Sequence, residues 1–97
     1  MATTPEHKVK AAVKKILDEL GIYHFSPFMV GMGRAGVPDI VGCYNGKFLG
    51  IECKAGKGKT TALQDRELAA ILTAGGFTFV ARETNLEELK ERLLSCL

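Results

Sequence analysis

The dipeptide Asn45-Gly46 sits between two apolar runs, 40–44 and 47–53, and it constrains this chain more than any other feature. Asn-Gly favours the two-residue type I′ turn, whose twist matches that of paired antiparallel strands. With the turn fixed, the register follows by counting. Tyr44 faces Lys47, Cys43 faces Phe48, Val41 faces Gly50 and Asp39 faces Glu52. Residues directly opposed hold their Cβ atoms roughly 4.5–5.5 Å apart. Strand alternation then puts Lys54 on the same face as Glu52. A hairpin over about 38–54 thus predicts two carboxylates and a lysine side by side.

Two facing carboxylates repel, and one is driven toward protonation unless a cation neutralises the pair. A stabilising hairpin would set a cation, not Asp39, opposite Glu52. The hard oxygens of Asp39 and Glu52 suit Mg²⁺ or Mn²⁺. Such an ion keeps several waters, accepts a substrate phosphate and acidifies a water for attack on a phosphodiester. Lys54 is placed to hold that water or to stabilise charge on the phosphoryl oxygens. The Cys53 carbonyl lies between the two side chains and can complete the shell, whereas its thiol points to the other face of the sheet. The competing reading is a surface ion pair of Glu52 with Lys54, which would carry no function.

A chain of 97 residues is expected to form one domain over 1–97 with a single core. No apolar run approaches the ~20 residues of a membrane span, and the start lacks a signal-peptide core, so a cytoplasmic location is expected. Cys43, Cys53 and Cys96 show no metal-binding spacing and read as free thiols. Residues 1–60 carry nine Lys and Arg against five Asp and Glu, and residues 61–97 carry four against six. The positive excess therefore lies in the part that holds the hairpin, as a polyanionic ligand would favour.

Thr4-Pro5 reads as a helix start, with Val9, Val13, Ile16, Leu17 and Leu20 as its apolar stripe and Gly21 as its stop. A short strand over 22–25 ends near Pro27. The connector 31–36 is glycine-rich, and its Arg34 can reach a phosphate. The link 55–59 is basic, with Lys57 and Lys59. Thr61 and Gln64 form a capping-box pattern for a helix whose apolar side is Leu68, Ile71 and Leu72. Gly75-Gly76 ends it, a strand over 77–80 follows, and Asn85 with Glu88 opens a last helix whose face is Leu86, Leu89, Leu93 and Leu94. The predicted fold is a single α/β domain of order α-β-β-β-α-β plus a C-terminal helix. His7 and His24 show no partner pattern, and no aromatic platform for single strands is apparent.

Pro38-Asp39 followed across a strand turn by Glu52-Cys53-Lys54 resembles the PD-(D/E)XK nuclease signature, and the element order resembles that superfamily's core. Gly36-Val37-Pro38-Asp39, Glu52-Cys53-Lys54, the glycine–lysine link and Gln64 together resemble the VRR-NUC family of small nucleases, over Glu6 to about Arg82. The resemblance implies a metal site of Glu6, Asp39, Glu52 and the Cys53 carbonyl. It implies catalytic Asp39, Glu52, Lys54 and Gln64, and DNA contacts from Arg34, Lys57 and Lys59. Glu6 also lies near the line of the first helix's apolar stripe, which predicts that it points inward; its alternative role is to complement the helix dipole. Glu19 is a second acid on that helix, about a quarter turn off the stripe. For Gln64 the capping box is the alternative.

The expected activity is a Mg²⁺- or Mn²⁺-dependent DNA endonuclease. Stand-alone viral or bacterial members resembling this chain act as homodimers on branched DNA such as four-way junctions. The alternatives are a non-catalytic nucleic-acid-binding module, or a nuclease on linear or flap DNA or on RNA. The last helix is the expected dimer surface, because its leucines exceed what one side of a small sheet needs.

Overall fold

A computed structural model describes residues 4–28 and 33–95 of the chain. Three helices and four strands follow one another as α1 (Pro5–Glu19), β1 (Tyr23–Phe25), β2 (Ile40–Tyr44), β3 (Lys47–Cys53), α2 (Ala62–Thr73), β4 (Phe77–Ala81) and α3 (Leu86–Ser95). The strands form one mixed sheet in the order β1-β2-β3-β4. The first three are antiparallel, and β4 runs parallel to β3. A parallel return needs a crossover, which α2 supplies. Gly31 and Met32 of the expected connector, and Cys96, lie outside the described residues.

The hairpin forms as the Asn-Gly turn predicts. Asn45 and Gly46 both hold positive φ, at 50° and 81°, and Val41 pairs with Gly50, Cys43 with Phe48 and Tyr44 with Lys47. Alternation then sorts the sheet into two faces. Ile40, Leu49, Ile51, Cys53, Phe77, Phe79 and Ala81 pack in one core with Val9, Val13, Ile16 and Leu17 of α1 and Leu89 and Leu93 of α3. α2 lies over the other face, where a side chain at Gly50 would collide with Ile71 and press on Pro38.

α1 starts as its sequence dictates, with Thr4 Oγ1 accepting the His7 N–H at 3.1 Å and Pro5 in the first turn. Gly21, at φ 71°, turns the chain out of it. Three details differ from the sequence expectation. The one buried residue of α2 is Glu67, while Leu72 is exposed, because α2 covers the sheet with its Gln64–Leu68–Ile71 side only. In α3, Leu94 is exposed, since Leu89 and Leu93 suffice to fill the space over β4. Asn85 does not close a capping box with Glu88. Its side chain turns back, accepting the Arg82 N–H at 2.7 Å and donating to the Val80 carbonyl at 2.9 Å. It fastens the end of β4 to the start of α3.

Gly36 positions the segment that leads into β2. Its φ is 80°, and a Cβ there would lie 2.5 Å from the Leu63 carbonyl oxygen. Both the backbone conformation and the space demand glycine. Gly36→Ala is expected to lose about 1–3 kcal/mol of stability, read as a lower melting temperature. An unchanged melting curve would show that this segment does not rest on α2.

Candidate metal centre

Asp39 precedes β2 by one residue and Glu52 is the penultimate residue of β3. The paired register ends with Ile40 opposite Ile51, so one further step sets Asp39 against Glu52. Asp39 is held by a main-chain bond across the hairpin: its Oδ2 accepts the Cys53 N–H at 2.9 Å. Glu6 arrives from the first turn of α1. One carboxylate oxygen from each of Glu6, Asp39 and Glu52 lies within 4.8 Å of the others. Glu6 turns toward the other acids, as its place on the helix predicts, but it stays exposed. Glu19, at the far end of α1, is exposed and outside the cluster.

Glu52 is the unusual member. It is only 1% exposed, and its Oε2 has no hydrogen-bond donor. A buried polar atom without a partner costs about 1–3 kcal/mol, more when charged. Burial, chiefly, and then a hydrogen bond and charge from Asp39 push its carboxyl up to about 8, while Lys54 pulls it down. Two carboxylates can share a hydrogen bond only when one of them keeps a proton. The cluster therefore needs either that proton or a cation. Three carboxylates, one buried and orphaned, fit a small hard divalent ion.

Cys53 lies in the core. Burial, with the charges of Asp39 and Glu52, pushes its thiol up to about 12. It is a neutral thiol at physiological pH, packed in the core. Lys54 is half-buried just past β3, its N–H bonded to the Ala81 carbonyl at 3.0 Å. Its aliphatic stem runs toward Gly58. That loop is anchored by Glu83, which accepts the Gly56 N–H at 2.8 Å, and by Arg82, which donates to the Gly56 carbonyl at 3.1 Å. Lys57 and Lys59 are exposed on it.

Gln64 forms the capping box. Its Oε1 accepts the Thr61 N–H at 2.9 Å and its own N–H donates to Thr61 Oγ1 at 3.2 Å. Arg34 is not a free cation: its Nε lies 2.8 Å from Oε1 of the buried Glu67. His24 bonds Asp18 at 2.7 Å, away from the acids. Two residues near the cluster escaped the sequence reading. His7 and Lys10, with Thr4, Glu6 and Asp39, line a cleft of about 180 Å³. The spacing of Lys10, one helical turn beyond Glu6, could have flagged it.

Neither a protein-family model nor any curated protein sequence matches the chain.

Two expectations follow. Glu52 carries a raised value when folded and an ordinary one, 4.5, when unfolded. Between those values folding takes up a proton, so stability falls as pH rises from about 4.5 through about 8. Thermal melting of the metal-free protein over that range should show the fall, and Glu52→Gln should flatten it. Mn²⁺ should raise the melting temperature, more so at higher pH; an equal rise in Glu52→Gln would remove Glu52 from the metal site. Separately, Arg34→Ala should destabilise by about 1 kcal/mol, because Arg34 is largely exposed and its pair is screened. A double-mutant cycle with Glu67→Gln measures the coupling, and a coupling near zero would mean that Glu67 needs no counter-charge.

Proposed function

We propose that this protein is a divalent-metal-dependent phosphodiester hydrolase acting on DNA, with a core of the PD-(D/E)XK type. One observation carries the reading: the buried Glu52, with one donorless oxygen, converging with Asp39 and Glu6. A structural ion pair has no use for three converging acids, whereas a cation site requires them. The antiparallel hairpin, the parallel return through α2 and the α1 acid at the same end of the sheet are in keeping with that core.

In this reading Glu6, Asp39, Glu52 and the Cys53 carbonyl would hold Mg²⁺ or Mn²⁺, which when bound would supply charge for the phosphate and an acidified water. The chain's own groups do the rest. Asp39 is oriented by the Cys53 N–H. Lys54 offers a point charge beside Glu52 for the attacking water or the phosphoryl oxygens. Lys57 and Lys59 take flanking phosphates. Arg34, whose guanidinium has five donors, can contact a phosphate only alongside Glu67. Gln64 has its carbonyl oxygen in the helix cap, which leaves its amide NH₂ for the substrate. The likeness to stand-alone VRR-NUC proteins further suggests a homodimer cutting branched DNA such as four-way junctions, in the cytoplasm of a bacterial or phage-infected cell.

The test is cleavage of labelled four-way, flap and linear DNA in Mg²⁺. Asp39→Asn should abolish cutting. Lys54→Ala should lower kcat about 10²–10³-fold and leave DNA affinity within a few-fold. Ca²⁺ should support binding without cutting, being larger and looser in geometry than Mg²⁺. Undiminished cutting by Asp39→Asn would refute the assignment. Tight binding by the wild type with no Mg²⁺-dependent cutting would make the protein a binding module.

A further inference from the structure

The sheet face opposite α1 and α3 is only half covered. α2 lies over β3 and β4, with Ile71 against Gly50 and Gly76. Among the described residues nothing covers β1, Cys43 of β2 or Phe48 at the start of β3, although Val41 between them is buried. Its register gives two rows, Tyr23–Cys43–Phe48 and Phe25–Val41–Gly50. Tyr23 is 69% exposed, Phe25 51% and Phe48 49%, and Phe28, just past β1, is 87% exposed. The Tyr23 and Phe25 rings stand edge to face, their centroids 6.2 Å apart, as a raised ridge. Beside them a cavity of about 510 Å³ opens at Val41 and Phe48 and runs under α2 to Ala70 and Ile71.

Folded monomers rarely leave a contiguous apolar patch larger than a few hundred Å². The three rings alone offer roughly 300–400 Å², close to half of the ~800 Å² that each side of a standard interface buries. The chemistry of the patch selects its occupant. Single-stranded nucleic acid needs cations interleaved with the aromatic rings. These two rows hold no Lys or Arg. At the cavity's rim stand Arg34, which is paired with Glu67, and Lys47. An uncharged aromatic ridge beside an apolar groove, whose only charged lining is Arg34, Lys47 and Glu67, suits a two-fold contact, in which each copy offers both to the other.

We propose that a second copy of this chain docks on the β1–β2–β3 face, with Tyr23, Phe25 and Phe48 at the centre of an isologous dimer. This replaces α3 as the dimer surface, since α3 spends Leu89 and Leu93 on its own core. It deepens the homodimer of the proposed function by naming the surface, yet the docking itself needs neither metal nor DNA.

Sedimentation equilibrium without DNA or metal tests it. The wild type should be a dimer at micromolar concentration. Phe25→Glu and Tyr23→Glu should each raise the dimer dissociation constant about 30-fold or more, the range of a central interface residue. Leu94→Glu, on α3, should leave it unchanged. A second readout needs no variant. Cys43 is exposed within the patch and Cys53 is buried, so iodoacetamide labelling of Cys43, read by peptide mass, should slow as the wild type is concentrated. A monomer at 100-fold higher concentration, or labelling of Cys43 that ignores concentration, overturns the proposal. So does a dimer lost in Leu94→Glu but kept in Phe25→Glu. A Phe25→Glu protein that stays dimeric but loses affinity for a single-stranded oligonucleotide assigns the face to nucleic acid instead. Failure of cleavage leaves each of these results standing, and failure of dimerisation leaves the cleavage assay standing.

Discussion

The hydrogen bond from the Cys53 N–H to Asp39 Oδ2, at 2.9 Å, joins the two sides of this molecule's chemistry. It closes the open end of the hairpin with a side chain where the main-chain ladder stops. It also fixes a negative charge beside a second, buried carboxylate. The burden of protonation falls on Glu52, whose burial, chiefly, and then its contact with Asp39 push its carboxyl upward. The asymmetry of the pair is one of burial: Glu52 is fully buried and Asp39 only partly.

That arrangement is unfavourable to folding on its own. The hairpin register brings the acids together, and the core beneath them cannot adjust, because Ile51 and Cys53 on the opposite face are fully buried. Slipping the register by one residue would relieve Glu52 but would turn Leu49, Ile51 and Cys53 out of the core. The hydrophobic alternation thus holds the acids in place against their repulsion. Strain of this kind persists where surrounding packing over-determines it, and it marks sites of function.

The hairpin, the element order and the first helix were legible in the sequence because each rests on local chemistry. Asn45-Gly46 sets its own backbone angles, Thr4-Pro5 its own helix start, and Thr61 with Gln64 its own cap. What the sequence hid depended on where elements stop covering one another. Leu72 looks like core by periodicity, but it stands exposed on α2. Glu67 looks like surface, but it is buried and meets Arg34. Asn85 has a capping residue's chemistry, yet it bonds backward to β4. The site acids were legible as a pair because two residues on one hairpin obey counting. Glu6 was legible as their partner from the resemblance and from its line on α1, and it does join them; its exposure was not, since that depends on how α1 packs on the sheet. The exposed aromatics were missed for a related reason: Tyr23, Phe25 and Phe48 are strand formers that read equally well as core.

The incomplete cover of α2 has two consequences that belong together. A second helix over β1 and β2 would bury Tyr23 and Phe25, which α2 leaves exposed. By leaving that side open, the fold exposes apolar surface, while Glu6 and Asp39 are reached through the cleft beside α1. The rows are about 7 Å apart along the strand, so the aromatic rows and the acid row are neighbours on one rigid sheet. Whatever seats on the rings is fixed in distance and orientation relative to the acids. If the occupant is a second copy, two acid clusters acquire a set separation with no linker between them. A symmetric pair of phosphodiesters is the kind of substrate such a spacing would measure.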